Sequence, residues 1–296
     1  MESPDRQAGI RRARQRVEER YGAWTNHNLA LGAAEYTVGP APTGADWKLR
    51  RYLQMVADLK IKPWEDLRVL DLACLEGLYG IELALQGARV VAIEGREANL
   101  AKAQFAATTL GLGDRYEGRL EDVRSLSPER HGTFDVVLCL GILYHLDAPD
   151  VFDFLRQVGA VCQHLLLVDT QLAPAPVISV ADQGQTYWGR WHDERDDTAH
   201  FGRPAEVLWS SLDNDRSFWF TRPSLWRFLE GTGFTSIWES HGPAVPRYEV
   251  MRRQEGSDRA TFVAIKGKPV ATKASPLPQT LPAGWDEIED LSLSSP

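Results

Sequence analysis

Cysteine is scarce in this 296-residue chain: Cys74, Cys139 and Cys162 are all there are. An odd number without paired spacing excludes a disulfide framework and a zinc-binding pattern, and leaves free, buried thiols in a reducing compartment. Long apolar runs are also missing. No stretch approaches the ~18 residues of a membrane span, and the opening "MESPDRQAGIRRARQRVEER" has no apolar signal core. The expectation is a soluble, cytoplasmic chain with no membrane partner. Positive charge is in deficit too, with a net charge of −8 and a pI of about 5.5. That argues against a large nucleic-acid surface. What is present is globular: 43% hydrophobic and 25% charged residues, enough for a sizeable core, and ten tryptophans.

The first clear element is an arginine-rich helix over 6–21, with Arg11, Arg12, Arg14, Arg16 and Arg20 set among Glu18 and Glu19. A solvated face is the plain reading, a nucleic-acid or acidic-partner surface the other. Residues 22–45 read as irregular, and 46–60 return to helical spacing through Trp47, Leu49, Tyr52, Leu53, Val56 and Leu59. A regular alternation follows. Apolar runs at 68–72, 89–93, 134–140 and 164–169, with a weaker strand at 115–120, are separated by helical patterns at 78–86, 96–110 and 149–162. Strands alternating with helices predict βαβ units and a mostly parallel sheet. A helix at 223–231 then precedes strands at 234–240 and 260–267, an antiparallel pair at the sheet edge.

The expected architecture is therefore α/β: a doubly wound, Rossmann-like, seven-stranded sheet with an antiparallel C-terminal strand pair. Its parts are an N-terminal helical cap (1–60), a core (61–171), a lid insert (172–222), the end of the core sheet (223–267) and a loosely attached tail (268–296) that carries five prolines. The insert breaks the alternation, and a long connection of this kind is usually a lid or binding loop.

The chemistry centres on "VLDLACLEGLYGIEL", residues 69–83. In an open parallel sheet, ligands bind beyond the C-terminal strand ends, where strand order reverses. Asp71, Glu94 and Asp122 each end or closely follow one of the first three strands. An acid about 20 residues after the first turn holds ribose hydroxyls, and Glu94 stands 23 residues after Asp71. Asp122 is placed to accept from an adenine amino group. The dinucleotide alternative, a G-x-G-x-x-G fingerprint, fits less well, because Leu75 and Gly77 would occupy its first two glycine positions.

The stretches "VLDLACLEGLYG", "VVAIEGREANLAKAQ", "LEDVRSL" and "FDVVLCLGILYHLDAP" resemble, in order and spacing, class I S-adenosylmethionine-dependent methyltransferases. The resemblance covers residues 67–170 and, through the late strand pair, 223–267. "LGILYHL" and "SFWFTRPSLWRFLEGTGFTSIWE" look like a bacterial branch that includes the tRNA wobble-uridine carboxymethyltransferase and many enzymes of small-molecule biosynthesis. The resemblance implies S-adenosylmethionine as cofactor, bound by Asp71, Ala73, Cys74, Leu75, Gly77, Glu94, Gly95, Asp122, Val123, Leu140 and Gly141. The departure is in the loop. The family pattern D-x-G-x-G-x-G reads here Asp71-Leu72-Ala73-Cys74-Leu75-Glu76-Gly77, so only the last glycine is kept. Ala73 is tolerable if its φ is negative. Leu75 requires either a different turn or a side chain pointing away, because a bulky residue at positive φ is costly.

Methyl transfer needs a positioned nucleophile and often a base. His145, just beyond the fourth strand, is the first candidate base, since histidine titrates near neutrality; the alternative is a structural histidine. His192, Asp193 and Tyr187 of the insert complete the catalytic candidates. "HDERDD" (192–197) also reads as a solvated charge run, and no metal site is expected from it. Trp24, His27, Tyr144, Trp188, Trp191 and Trp219 are the candidate substrate walls, with the N-terminal "YGAWTNHN" and the insert expected to cap the mouth. The absence of an N-P-P-Y motif after the fourth strand speaks against base N-methylation. The preferred reading is methylation of a small molecule. A tRNA-modifying enzyme and a non-catalytic binding protein are the alternatives, nucleic acid is not the expected partner, and a homodimer is an allowed assembly.

Overall fold

The computed structural model describes residues 4–32, 34–194, 210–241 and 258–274. Twelve strands and seven helices are assigned among them. In chain order they are α1 (Pro4–Tyr21), β1 (Ala30–Gly32), β2 (Glu35–Tyr36), α2 (Gly44–Leu59), β3 (Arg68–Leu72), α3 (Leu78–Leu85), β4 (Arg89–Glu94), α4 (Glu97–Thr109), β5 (Tyr116–Leu120), α5 (Pro128–His131), β6 (Phe134–Leu140), α6 (Asp150–Val161), β7 (Cys162–Leu172), β8 (Ile178–Asp182), β9 (Gln185–Asp193), β10 (Arg216–Phe220), α7 (Arg222–Gly231), β11 (Ser236–Glu239) and β12 (Asp258–Ile265). Seven strands form one sheet in the order β11-β12-β7-β6-β3-β4-β5. β3 pairs in parallel with β4 and β6, β4 in parallel with β5, and β11 antiparallel with β12. The fold is the Rossmann-like α/β sheet expected from the alternation.

The chain divides into two compact units, one within Met1–Ile142 and Arg156–Val168, the other within Leu143–Leu155 and Asp169–Pro296. In the first, the buried strands read as near-continuous apolar runs because helices cover both faces of a parallel sheet. Val69, Leu70, Leu72, Val136, Val137 and Leu138 are all essentially inaccessible. The chain runs from β3 outward through β4 to β5, then returns to place β6 on the other side of β3. That reversal puts a crevice beyond the C-terminal ends of β3 and β6. All three cysteines are buried, and none is in a disulfide.

The irregular reading of 22–45 needs correction: β1 and β2 form a small antiparallel hairpin. The segment before it is a strap laid over the loop after β3. Glu76, inaccessible to solvent, accepts from the backbone amides of Thr25 (2.9 Å), Asn26 (3.3 Å) and His27 (3.1 Å) and from Lys102 Nζ (3.2 Å). Lys102 also donates to the Ala23 carbonyl at 2.7 Å. His27 does what Gly77, the side-chain-less N-cap of α3, cannot: its Nδ1 accepts from the Leu78 amide at 3.1 Å. The arginine helix is partly spent inside this unit as well. Arg11 pairs with Glu35, and Arg14 donates to the Tyr36 carbonyl.

The second unit shows regular structure in the insert that broke the alternation. The described part of the insert is an antiparallel meander in the order β10-β9-β8. Its register pairs Trp219 with Arg190 and Phe218 with Trp191. Side chains alternate across a sheet, so one face carries Trp188, Arg190, His192 and Trp219, and the other carries Tyr187, Trp191, Phe218 and Phe220. The second face packs Tyr187, Phe218 and Phe220 against Phe152 of α6, and Tyr187 and Phe220 also meet Phe228 of α7, at centroid separations of 5.0–6.2 Å. Trp209 and residues 195–197 of the charge run lie outside the described residues, as do positions 275–296 of the expected tail.

Two outcomes follow from these contacts. A Cβ at Gly189 would lie 2.2 Å from the Trp219 carbonyl oxygen and 2.6 Å from Phe218 Cζ. Gly189→Ala is therefore expected to cost about 1–3 kcal/mol in chemical denaturation, and a change within about 0.5 kcal/mol would contradict this packing. Burial holds the His27 pKa down at about 3, against an ordinary 6.5. Below pH 6.5 the unfolded chain takes up a proton that the folded chain refuses. His27 thus contributes stability above that pH and loses it as the pH falls toward 3. His27→Asn should flatten that part of the stability-against-pH curve; parallel curves for the two proteins would show that His27 is not buried neutral.

Candidate active site

The loop after β3 makes a tight turn closed by the Gly77 amide donating to the Cys74 carbonyl at 2.9 Å. Its conformation is the one glycine favours, yet it is built without glycine at two places. Ala73 has φ +53° and Leu75 φ +52°. The condition of a negative φ, under which Ala73 would be easily tolerated, is not met, and Leu75 keeps the left-handed turn. For L-residues this costs about 1–2 kcal/mol each, so the surroundings must over-determine it. They do. The Cys74 amide donates to the Ile93 carbonyl at 3.0 Å, and the Leu75 amide donates to Glu94 Oε2 at 2.9 Å. Gly77, at φ +87°, is obligatory: a Cβ would lie 2.8 Å from Ala103 Cβ and 2.9 Å from Ile81 Cδ1.

Two carboxylates lie buried beneath this turn. Asp71 Oδ2 accepts from the Gly80 amide at 2.9 Å, pinning the first turn of α3. Burial pushes its pKa up to about 7, the Gly80 amide opposes, and neighbouring Glu94 adds to the rise. Glu94 accepts from the amides of Leu75 and Arg96 and from Asn99 Nδ2. Burial raises its pKa as well, against those hydrogen bonds. A carboxylate offers about four lone-pair sites; three donors leave Glu94 capacity for a ligand hydroxyl. At the next strand end, half-exposed Asp122 accepts from the backbone and guanidinium of Arg124, and Val123 is buried behind it. Gly95, Leu140 and Gly141 are partly accessible at the ends of β4 and β6, with Gly141 at φ +94°. Cys74 is buried, its Sγ 3.7 Å from the Tyr116 hydroxyl; burial pushes its thiol far up, so it lines the turn as an inert group.

Trp24 and His27 were expected to wall a substrate mouth. Both are instead buried within the first unit. Trp24 packs on Phe105 with Lys102 over its ring, and His27 caps α3. The residues that reading overlooked are Glu76 and Lys102. Nothing in the sequence pattern marked them, since a glutamate in a loop and a lysine on a helix both read as solvent-facing.

The second unit gathers a different set. A short 3-10 turn, Leu143–His145, presents Tyr144 and His145. His145 Nδ1 lies 3.1 and 3.2 Å from the two carboxylate oxygens of Glu194. Glu194 is fully buried, which overturns the solvated reading of at least this member of the charge run. Burial alone would raise its pKa, but His145, the Ser211 amide and Ser217 together hold it below the usual carboxylate range. The Asn214 side chain donates to the His145 carbonyl at 3.0 Å, fixing the turn from below. Trp219 donates its indole N–H to the Tyr144 carbonyl at 2.9 Å; His192 stacks on its ring at 4.4 Å, and the Arg190 guanidinium lies 4.9 Å from its centroid. Arg259, paired with Asp169, reaches the Tyr144 hydroxyl at 3.4 Å.

Of the catalytic candidates, then, His145 has a partner that orients it. His192 is a stacked neighbour of Trp219. Asp193 is exposed at the end of β9. Tyr187 is displaced to the aromatic core because its odd position points it to the opposite sheet face. Trp191 shares that opposite face, under the Arg216 guanidinium at 4.0 Å, so it cannot line one wall with Trp188 and Trp219.

Residues 69–164 match the family model of a methyltransferase domain. Over 100 residues the chain is 40% identical to a ubiquinone biosynthesis O-methyltransferase of Methylocella silvestris, covering 34% of this chain and 37% of that protein. Over 92 residues it is 34% identical to the like-named protein of Parvibaculum lavamentivorans, covering 31% and 35%. The chain thus spans little more than a third of these curated relatives. Among solved structures, the N-terminal domain of EvdMO1, studied in the presence of SAH and D-fucose, shares 24% identity at a TM-score of 0.64, covering 89% of this chain and 97% of that one, a likeness of fold. With the parallel sheet, the loop after β3 and the carboxylates at successive strand ends already in place, residues 69–164 are similar to a methyltransferase domain in sequence and in fold.

Proposed function

We propose that the protein binds S-adenosylmethionine at the strand ends of its first unit and transfers the methyl group to a small molecule. The observation that carries this reading is Glu94, a buried carboxylate at the end of β4 that holds the turn through the Leu75 amide and keeps capacity for a further donor. In this reading Glu94 takes the ribose hydroxyls and Asp122 the adenine amino group. The turn at Ala73, Cys74, Leu75 and Gly77 supplies backbone, and Gly95, Val123, Leu140 and Gly141 complete the walls. The bound cofactor supplies an electrophilic methyl on a sulfonium. The curated relatives are O-methyltransferases of ubiquinone biosynthesis, so a hydroxyl is the first accepting group to test.

His145 is the proposed base. With Glu194 ionised, Nδ1 carries the proton and donates to the carboxylate, which leaves Nε2 as the lone pair able to take a proton from an acceptor hydroxyl. Glu194 also stabilises the imidazolium that results. Tyr144, Trp188 and Trp219, with Arg190 and His192 on the same sheet face, are the proposed aromatic and polar surface for the acceptor. Arg259 and Asp169 hold Tyr144 in place and are positioning residues.

Calorimetric titration with S-adenosylmethionine and S-adenosylhomocysteine tests the cofactor. Micromolar binding is expected, and Glu94→Ala should weaken it by about 1–3 kcal/mol through loss of a buried polar partner. Unchanged affinity would show that the site is misplaced. Turnover is read as release of S-adenosylhomocysteine with a panel of small hydroxylated acceptors. There, His145→Ala and Glu194→Gln should each lower the rate by about 100-fold or more, with a far smaller effect on cofactor affinity. Equal losses in rate and affinity would make the pair structural.

A further inference from the structure

The loop after β3 holds two non-glycine residues in the left-handed region, and the side chain of the residue between Leu75 and Gly77 is tied to four other residues. Glu76 has no solvent access, and its carboxylate receives three consecutive strap amides and one lysine ammonium. Lys102 is equally enclosed, with 4% side-chain exposure, and bridges Glu76 to the Ala23 carbonyl. A buried carboxylate is tolerable only when its partners are all present. Glu76 therefore has one position, and that position fixes the backbone on either side of it. His27, next along the strap, locks the following residue, Leu78, from the same side.

We propose that Glu76 is a positioning residue for the cofactor turn. By clamping strap residues 25–27 and Lys102, it imposes at Ala73 and Leu75 the conformation that glycine would adopt without cost, and it makes the N-terminal strap part of the cofactor site. The bonds from Ile93 and Glu94 hold the turn to the sheet; the Glu76 clamp holds it from the opposite side. This rests on the reading of 73–77 as the cofactor turn, but the clamp itself is a property of the ligand-free chain.

The test is a mutant cycle on the full chain with two readouts. The first is S-adenosylhomocysteine affinity by calorimetry, with thermal unfolding to show that each variant is folded. The second is hydrogen exchange of the Leu75 and Gly77 amides without ligand, which reports the clamp whether or not the cofactor reading holds. Glu76→Ala should weaken affinity by about tenfold or more and speed exchange at both amides by a similar factor. Within an Ala73→Gly/Leu75→Gly background, the affinity loss caused by Glu76→Ala should shrink by about fivefold or more, because glycine reaches the same turn without help. A merely structural role would cost the same in both backgrounds, and that additivity, or unchanged exchange at Leu75 and Gly77, overturns the proposal. If Glu76→Ala does not fold, Glu76→Gln run through the same cycle decides. The double change Glu76→Gln/Lys102→Met keeps the acceptor for the strap amides and removes both charges, and should retain slow exchange. Fast exchange there would mean that charge pairing, and not the strap, sets the turn.

Discussion

A chain that turns sharply from β3 into α3 must carry backbone through the left-handed region, and this one does so with Ala73 and Leu75. The first unit is organised around supplying what those two positions lack. Glu94 holds the Leu75 amide, the Ile93 carbonyl holds that of Cys74, and Glu76 anchors the strap from outside. Each partner comes from a different element, so the turn exists only when β4, α4 and the N-terminal segment are all in place. Local backbone cost of a few kcal/mol is comparable to a sizeable fraction of the stability of a domain, which explains why so many buried polar groups converge on five residues.

The same logic accounts for the charges beneath the turn. Asp71 and Glu94 are both buried, both raised in pKa, and both hold amides at the starts of helices: Gly80 of α3 for Asp71, Arg96 at the N-cap of α4 for Glu94. An acid at a helix start satisfies donors that have no partner within the helix. His27 plays the complementary part as a neutral acceptor, and its depressed pKa follows from doing so inside the protein. In the second unit, the buried carboxylate of Glu194 orients the partly accessible His145. A proton-accepting role is proposed for His145 for that reason.

The alternation of apolar runs and helical patterns was legible because strand and helix periods differ, and the observed elements match the expected ones within about two residues at most ends. The acids Asp71, Glu94 and Asp122, proposed here to serve the cofactor, were legible from their place in or just after successive strands. Trp24, His27, Tyr187 and Trp191 were not, because an aromatic residue looks the same in sequence whether it walls a cleft or fills a core. Tyr187 and Trp191 are separated from Trp188 and Trp219 only by the parity of a strand, and the stretch holding them showed no alternation strong enough to reveal the strand. The register of β9 with β10 made that distinction.

By itself the sequence determined the class of fold, the position of the loop after β3 and the residue types offered at each strand end, since these depend on short-range periodicity and on turn chemistry. Only the tertiary structure decided that the loop keeps a glycine-like turn without its glycines. Positive φ at Ala73 and Leu75 is unfavourable locally and is stabilised by groups 19 residues away at Glu94 and about 50 away across the Glu76 clamp. The burial of Glu194 and its pairing with His145, 49 residues apart, are of the same kind. Long-range partners convert groups that would be solvated or strained into fixed parts of a site, and no local pattern encodes which partners those are.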